Sequence, residues 1–401
     1  MSLTNTDTRY GGVTKTFHWL TAFLILTLIP MGIYANGLPY ETSEQLALKA
    51  MWFSTHKTLG VFAFFVALAR IVWAISQPKP GLLNGARKIE SLAAETVHWL
   101  LYGSLLLVPL SGWIHHAATT GFAPIWWPFG QNLPFVPKDE QIANAAAGLH
   151  IVFERVLVGS ILLHVAGALK HHFIDKDMTL RRMLPGTAEG RGSGQGHKVA
   201  LPLASALAIW VAALFVGSQL ELYTKHGTSV SVAQLAQVQS DWQVDDGTLA
   251  ITVMQMGSEV TGSFADWTAA ISFDETVESG IAGQVDVTIS IGSLTLGSVT
   301  GEAMKADYFN TEAFPTATFT ADIIRGENGY VAEGALTIKE QSLPLSLPFD
   351  LTLTEGVAEM SSSTTLDRRG YNIGNSQTDP GTLGFDVAVS VSLTATQAQA
   401  Q

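Results

Sequence analysis

The chain has 401 residues, of which only 14% are charged, and its mean hydropathy is positive at +0.26, more apolar material than one soluble core uses. Residues 1–222 carry 16 Lys and Arg against 12 Asp and Glu, while residues 223–401 carry 6 against 22, so the chain is two objects of opposite charge. With no cysteine anywhere, disulfides, thiolate metal sites, iron–sulfur clusters and haem attachment through C-x-x-C-H are excluded. The acidic second half argues against nucleic acid as a partner.

About 20 apolar residues in helix span a bilayer, and five stretches qualify: roughly 17–35, 56–76, 97–115, 148–170 and 200–222. The first four predict a bundle. The fifth stands apart after a polar, glycine-rich stretch, PGTAEGRGSGQGHK, which predicts a flexible linker. Arg9 and Lys15 precede the first span; Lys79, Arg87 and Lys88 separate the second and third. Lys170, Lys176, Arg181, Arg182, Arg191 and Lys198 follow the fourth. By the positive-inside rule these sides face the cytoplasm, which places the N-terminus there and everything after residue 222 outside. The opposite loops hold mainly Lys49 and Lys138 among acidic residues, with Trp52, Trp126 and Trp127 as interfacial anchors. No small-residue cleavage site follows the first span, which is expected to stay in the bundle.

Beyond residue 240 the period changes. FDVAVSVSLTA (385–395) alternates Phe385, Val387, Val389, Val391 and Leu393 with polar residues, and QVDVTISIGS (284–293) and ATFTADII (317–324) do the same. Short alternating strands separated by turn signals such as Gly326-Glu327-Asn328-Gly329 predict an antiparallel barrel with an acidic exterior. The expected fold is therefore multidomain: an all-α transmembrane four-helix bundle over 1–185, a linker with one extra transmembrane helix over 186–240, and an all-β antiparallel barrel over 241–396.

Histidines decide the chemistry. His150 and His164 are 14 residues apart, about 21 Å of helix rise and only about 40° in direction, so they share a face, one toward each membrane surface. His18 begins the first helix on the cytoplasmic side and His56 the second on the other. Depth therefore pairs His18 with His164 and His56 with His150. Two imidazoles facing across a bundle fill both axial positions of an iron porphyrin and favour electron transfer; zinc wants four ligands at one depth. His98 is an alternative to His18 or His164, and His115 or His116 to His56 or His150. His171 and His172 are candidates for a quinone or proton-exchange site, against an ordinary interfacial role. His197 and His226 receive none. Lys57 and Arg155 are candidate partners for haem propionates, against snorkelling by Lys57 and neutralisation of Arg155 by Glu154. Arg70 lies in the cytoplasmic half of the second helix.

Several runs resemble the bacterial cytochrome b561 family: FHWL (17–20), HKTLG (56–60) followed by Arg70, VHWLLYGSLLLVPLSGW (97–113), and LLHVAGALKHHFIDKDMTLRRMLP (162–185). The resemblance implies a four-helix cytochrome of the bacterial inner membrane with two haem b groups held by helices one, two and four. It also implies electron exchange between the quinone pool, such as ubiquinone, and a redox partner protein or superoxide. MGSEVTGSF (256–264), MKADYFNTEAFPTATFTAD (304–322), GALTIKEQSLPLSLPFDL (334–351) and TTLDRRGYNIG (364–374) resemble the YceI-like domain. That likeness implies a lipocalin-like periplasmic barrel binding an isoprenoid quinone or similar lipid. AMKADYF departs from the Arg-Asp-Glu pattern more frequent in relatives. The alternative expectation is a lipid-shuttling protein for which the bundle is an anchor.

Overall fold

The structure, a computed structural model, describes all residues except 1, 84, 120, 190–198, 225–232, 237, 239, 328 and 398–401. Within the expected linker, residues 190–198 and 225–232, with Arg191, His197, Lys198 and His226, lie outside the described residues. The chain divides into two compact units.

The first unit is helical: α1 (Gly12–Gly37), α2 (Ser43–Ser76) from Met51 onward, α3 (Lys88–Ala118), α4 (Glu140–Lys170), which runs on through a π-helical turn (His171–Asp175), the short α5 (Thr179–Met183), and α6 (Ala200–Gln219). Five of these are long and apolar enough to cross a membrane, and the protein is a membrane protein. The helices overrun the apolar stretches because polar caps, not hydropathy, set their ends. Thr42 and Gln45 form a capping box before α2, with Gln45 N donating to Thr42 Oγ1 at 3.3 Å and Glu41 and Thr42 N–H groups donating to Gln45 Oε1. Asp139 caps α4 by accepting from Ile142 N at 2.8 Å. As a result His56, expected at the start of the second helix, lies thirteen residues inside it.

The fifth long helix does not stand apart as expected: it packs against α3 and α4. The indole of Trp210 lies over the bare backbone of Gly103, where a Cβ would come within 1.9 Å of the ring. A helix hydrophobic all round needs such a partner or lipid on every side.

Among the described residues the second unit carries ten strands: β1 (Trp242–Gln255), β2 (Ser258–Phe264), β3 (Trp267–Phe273), β4 (Gly280–Ser290), β5 (Leu294–Thr295), β6 (Thr316–Gly326), β7 (Gly329–Ile338), β8 (Gln341–Thr354), β9 (Val357–Asp367) and β10 (Leu383–Gln397), with the single-turn α7 (Thr300–Ala303) after β5. They form one sheet in the order β3-β4-β6-β7-β8-β9-β10-β1-β2-β5, and every pair is antiparallel. The sheet curls until β3 meets the start of β1. There Asp241 N donates to Ile271 O at 2.9 Å, and Ile271 N donates to Ser240 Oγ at 2.7 Å. These bonds satisfy groups that an open edge would leave unpaired. The fold is an all-β antiparallel lipocalin-like barrel. The expected alternation holds in β10, whose Val387, Val389, Val391 and Leu393 face the interior. The run 284–293 is shorter than expected: β4 stops at Ser290, and Ile291–Ser293 turn inward as a 3-10 helix.

Candidate functional site

His56 and His150 are placed by the same device on different helices. His56 Nδ1 lies 3.1 Å from Leu28 O on α1, and His150 Nδ1 lies 2.8 Å from Val108 O on α3. A helix carbonyl is normally screened by the side chain four residues on; here that residue is Gly32 for Leu28 and Gly112 for Val108. A Cβ at Gly32 would stand 2.9 Å from His56 Cε1, and one at Gly112 would stand 3.0 Å from His150 Nδ1. Since a carbonyl can only accept, each Nδ1 carries the proton and each Nε2 keeps its lone pair. That is the tautomer of a metal-binding imidazole whose other nitrogen is fixed by a carbonyl.

His18 and His164 face one another with ring centres 6.1 Å apart and planes inclined by 54°. Two metal–nitrogen bonds of about 2.0–2.1 Å, added to the reach from each nitrogen to its ring centre, give about the same separation. Among the described residues, neither ring has a carbonyl partner of the kind that fixes His56 and His150. His18 stands edge-on to Trp19, and its Nδ1 lies 3.5 Å from Arg70 Nη2. The Arg70 guanidinium also lies over the Tyr102 ring, 5.3 Å from its centre. Gly60 and Gly167, about one helical turn from His56 and His164, have nothing within 4 Å of where a Cβ would stand. Imidazole nitrogens at both ends of the bundle, one facing pair among them, with bare backbone nearby, suit a flat, apolar group such as haem.

The other sequence candidates fall into distinct places. His98 joins the His18 end, its ring edge-on to His164 at 5.1 Å. His115 and His116 contact one another at 4.6 Å, and His115 Nδ1 is held by Ala143 O at 2.8 Å. Lys57 is buried, at 7% exposure. Arg155 points outward with its side chain 75% exposed and pairs with Glu154 at 3.5 Å, so the neutralised patch describes it better than an inward-facing cation does. Lys138 donates to Ala117 O, Thr119 O and Asn132 Oδ1 at 2.9, 2.9 and 3.0 Å, closing the C-terminus of α3. His171 Nδ1 lies 2.6 Å from Asp177 Oδ2 and 3.3 Å from Asp175 Oδ2, while Lys170 and Arg87 also hold Asp175. His172 packs edge-on to Phe173. The two neighbours thus differ: His171 belongs to an ionic network, His172 to an aromatic contact.

The barrel encloses a cavity of about 300 Å³, at the lower end of the range for small-molecule sites. One end is aromatic: Trp242, Phe273 and Phe349 line it, and Tyr330 behind them links Phe273 to Phe349 in a chain of ring contacts of 5.6–6.4 Å. Most of its polar lining, Gln255, Glu302, Tyr308, Arg368 and Tyr371, gathers at the opposite end, with Thr364 further along the wall. Burial, with Glu302 and Asp307 nearby, pushes the Tyr308 hydroxyl up to about 12, so it stays a neutral donor. Tyr308 and Phe309 of the departing AMKADYF run line the cavity, whereas Asp307 accepts from Ser376 Oγ at 2.6 Å. Arg368, 3% exposed, donates to five carbonyls, those of Gly384, Ile373, Gly374, Gln377 and Leu383, at 2.6–3.1 Å. It staples the loop between β9 and β10 over that end. Sequence reading gave Arg368 no role; a second arginine beside Arg369 at a strand end was the available signal.

The family model for prokaryotic cytochrome b561 matches residues 9–186. Cytochrome b561 homolog 2 of Escherichia coli K12 is 31% identical over 188 residues, covering 46% of this chain and 95% of its own length. The chain belongs to the prokaryotic cytochrome b561 family. A b-type haem is what membership implies. The probable superoxide oxidase CybB of Yersinia pestis is 25% identical over 178 residues, covering 44% of this cytochrome and 96% of its own length. The YceI-like domain model matches residues 242–395. Over that part the cytochrome is 34% identical across 93 residues to the UPF0312 protein plu2095 of Photorhabdus laumondii, covering 22% of this chain and 47% of that one. The crystal structure of Burkholderia cenocepacia BcnA aligns at 23% identity with a TM-score of 0.36, covering 38% of this chain and all of that one. Neither family model reaches α6.

Proposed function

We propose that this cytochrome holds two b-type haems, one between His18 and His164 and one between His56 and His150, and passes single electrons across the membrane between them. The observation that carries the reading is the carbonyl-fixed tautomer of His56 and His150, which aims two free nitrogens away from the helices that hold them. Haem held by these imidazoles would supply one-electron transfer. The protein's part is to hold the rings, keep Nδ1 protonated at the His56 end, and exclude water with the apolar bundle. The positive-inside pattern supports an inner-membrane orientation with the N-terminus in the cytoplasm and the barrel in the periplasm. The test is haem per polypeptide in detergent-purified protein with a reduced-minus-oxidised spectrum. Two low-spin haems are expected, and none after reconstitution would refute the reading.

The barrel is proposed to take the tail of an isoprenoid quinone, with the aromatic end around the chain and Tyr308 near the head. Lipid extracted from the purified protein is expected to be a redox-active quinone, and Ala332→Phe, which fills the cavity, is expected to reduce its yield. A saturated polyprenyl alcohol or phospholipid would favour the second reading, a lipid carrier anchored by the bundle, which the apolar lining supports equally. Superoxide, suggested by the Yersinia pestis relative, would need a cationic funnel. Lys138 spends its donors on closing α3, which leaves Lys57 as the residue to test by replacement and by ionic-strength dependence.

A further inference from the structure

From Ala117 to Pro137 the chain carries no Asp, Glu, Lys or Arg, and Ile125–Pro137 (IWWPFGQNLPFVP) holds two tryptophans and two phenylalanines. This segment, between α3 and α4, folds back along the bundle. Trp126 N donates to Thr58 Oγ1 of α2 at 3.0 Å, and Trp113 Nε1 of α3 donates to Gly130 O at 3.2 Å. The Phe129 ring stacks on Phe65 of α2, with 5.5 Å between centres and 15° between planes, and Phe65 meets Trp113 edge-on at 6.1 Å. Phe65 lies nine residues inside the apolar stretch 56–76, about 13 Å of rise, and Trp113 two residues inside 97–115, about 3 Å. Both levels fall within one leaflet's share of a hydrocarbon core about 30 Å thick.

We propose that Ile125–Pro137 is a membrane-inserted loop, with the Trp127 and Phe135 side chains seated among the acyl chains of the leaflet at the His56 end. Trp127 is 91% exposed and Phe135 fully exposed, although the segment around them is fastened to two spans. Large apolar side chains left bare at that level meet lipid. The backbone is suited to the depth: Pro128, Pro134 and Pro137 bring no N–H, and the N–H groups of Phe129 and Val136 donate to Trp126 O and Leu133 O at 3.2 and 3.3 Å. A protein partner is disfavoured as the occupant, because it would have to sit where acyl chains surround α2 and α3, on a surface without a charge to pair. The loop therefore does more than anchor through two tryptophans: its chain is folded down against the spans. The inference is independent of the haem reading.

The chain has no cysteine, so Trp127→Cys and Phe135→Cys each give the full protein one thiol for a nitroxide spin label. In vesicles of phosphatidylcholine and phosphatidylglycerol, both labels are expected to collide more with oxygen, which dissolves among acyl chains, than with a water-soluble nickel chelate. The oxygen-to-nickel ratio should exceed several-fold that of a label at Glu327→Cys, in the exposed turn between β6 and β7. Ratios at both sites equal to the Glu327→Cys value overturn the inference. Protection of both sites from both reagents also overturns it, since a protein surface would then cover the loop. If neither labelled variant can be purified, fluorescence decides. The emission of the unsubstituted chain minus that of Trp127→Phe is expected to be quenched by acyl-brominated phosphatidylcholine and spared by iodide, and the reverse overturns the inference.

Discussion

The two ends of the bundle solve one problem differently. At the His56 end both imidazoles are locked by helix carbonyls that Gly32 and Gly112 leave uncovered. At the His18 end the rings meet at 6.1 Å with a third imidazole, His98, beside them and a guanidinium on one nitrogen. The first end is preorganised by backbone, so its geometry resists change. The second is held by side chains, whose charge and rotamers can be adjusted. The comparison teaches that similar donor pairs on one scaffold differ through what touches the other nitrogen.

The strongest break in the comparison is removal of a ligand. His150→Ala and His164→Ala are each expected to reduce haem content from two to one per chain, sparing the opposite end; loss of both haems in either variant, measured by haemochrome assay, would show the ends are not independent. Gly112→Ala comes next. Its methyl would stand 3.0 Å from His150 Nδ1, and loss of the fixed orientation is expected to weaken haem retention there by about 10–100-fold. Gly167 has nothing within 4 Å of its Cβ position, the room the proposed haem would use, so Gly167→Ala is expected to weaken haem retention at the His164 end instead. The contrast can be read from Soret absorbance after gel filtration.

A smaller effect is expected from the lysines that close each end. Lys138 caps α3 at the His56 end, and Lys15, buried at 7% exposure, donates to Leu184 O and Gly186 O at 2.8 and 2.9 Å at the other. Replacing either by Met, which keeps the apolar stem, should cost about 0.5–1.5 kcal/mol per bond lost, seen as a lower unfolding temperature in detergent. Lys138→Met, which loses three bonds, should fall further than Lys15→Met, which loses two.

The smallest expected effect is the pH dependence of the His171 network. Burial raises the Asp177 carboxyl, but bonds from Thr179 and His171 outweigh it, so the group lies below the usual carboxylate range. A depressed carboxyl stabilises the fold above its unfolded value of about 3.9 and loses that contribution as pH falls through the folded value. Asp177→Asn should therefore melt below the unsubstituted protein at about pH 6 and converge with it toward about pH 3. A constant gap would remove Asp177 from the ionic network.

Much of the site was legible because membrane helices leave few reasons for a histidine. His18, His56, His150 and His164 stood out against apolar sequence, and spacing alone put His150 and His164 on one face. The partners were not legible. Leu28 and Val108 act through backbone carbonyls, which any residue carries, and their availability depends on a glycine one turn on and a ring from another helix. Arg155 illustrates the reverse: a cation in the right stretch turned outward to Glu154, because azimuth on α4 decided its direction.

In the barrel, alternation along 385–395 fixed which side of β10 faces inward, since the side-chain period of a strand is two. Closure of the sheet, by contrast, depends on Ser240 and Asp241 meeting Ile271, some thirty residues away. The sequence by itself determined five spans, a change of period, and four histidines at two depths, because hydropathy and periodicity are local properties. Only the tertiary structure decided which nitrogen of each ring is free, where Arg70 points and how Arg368 seals one end of the cavity, because each rests on contacts between residues distant in the chain.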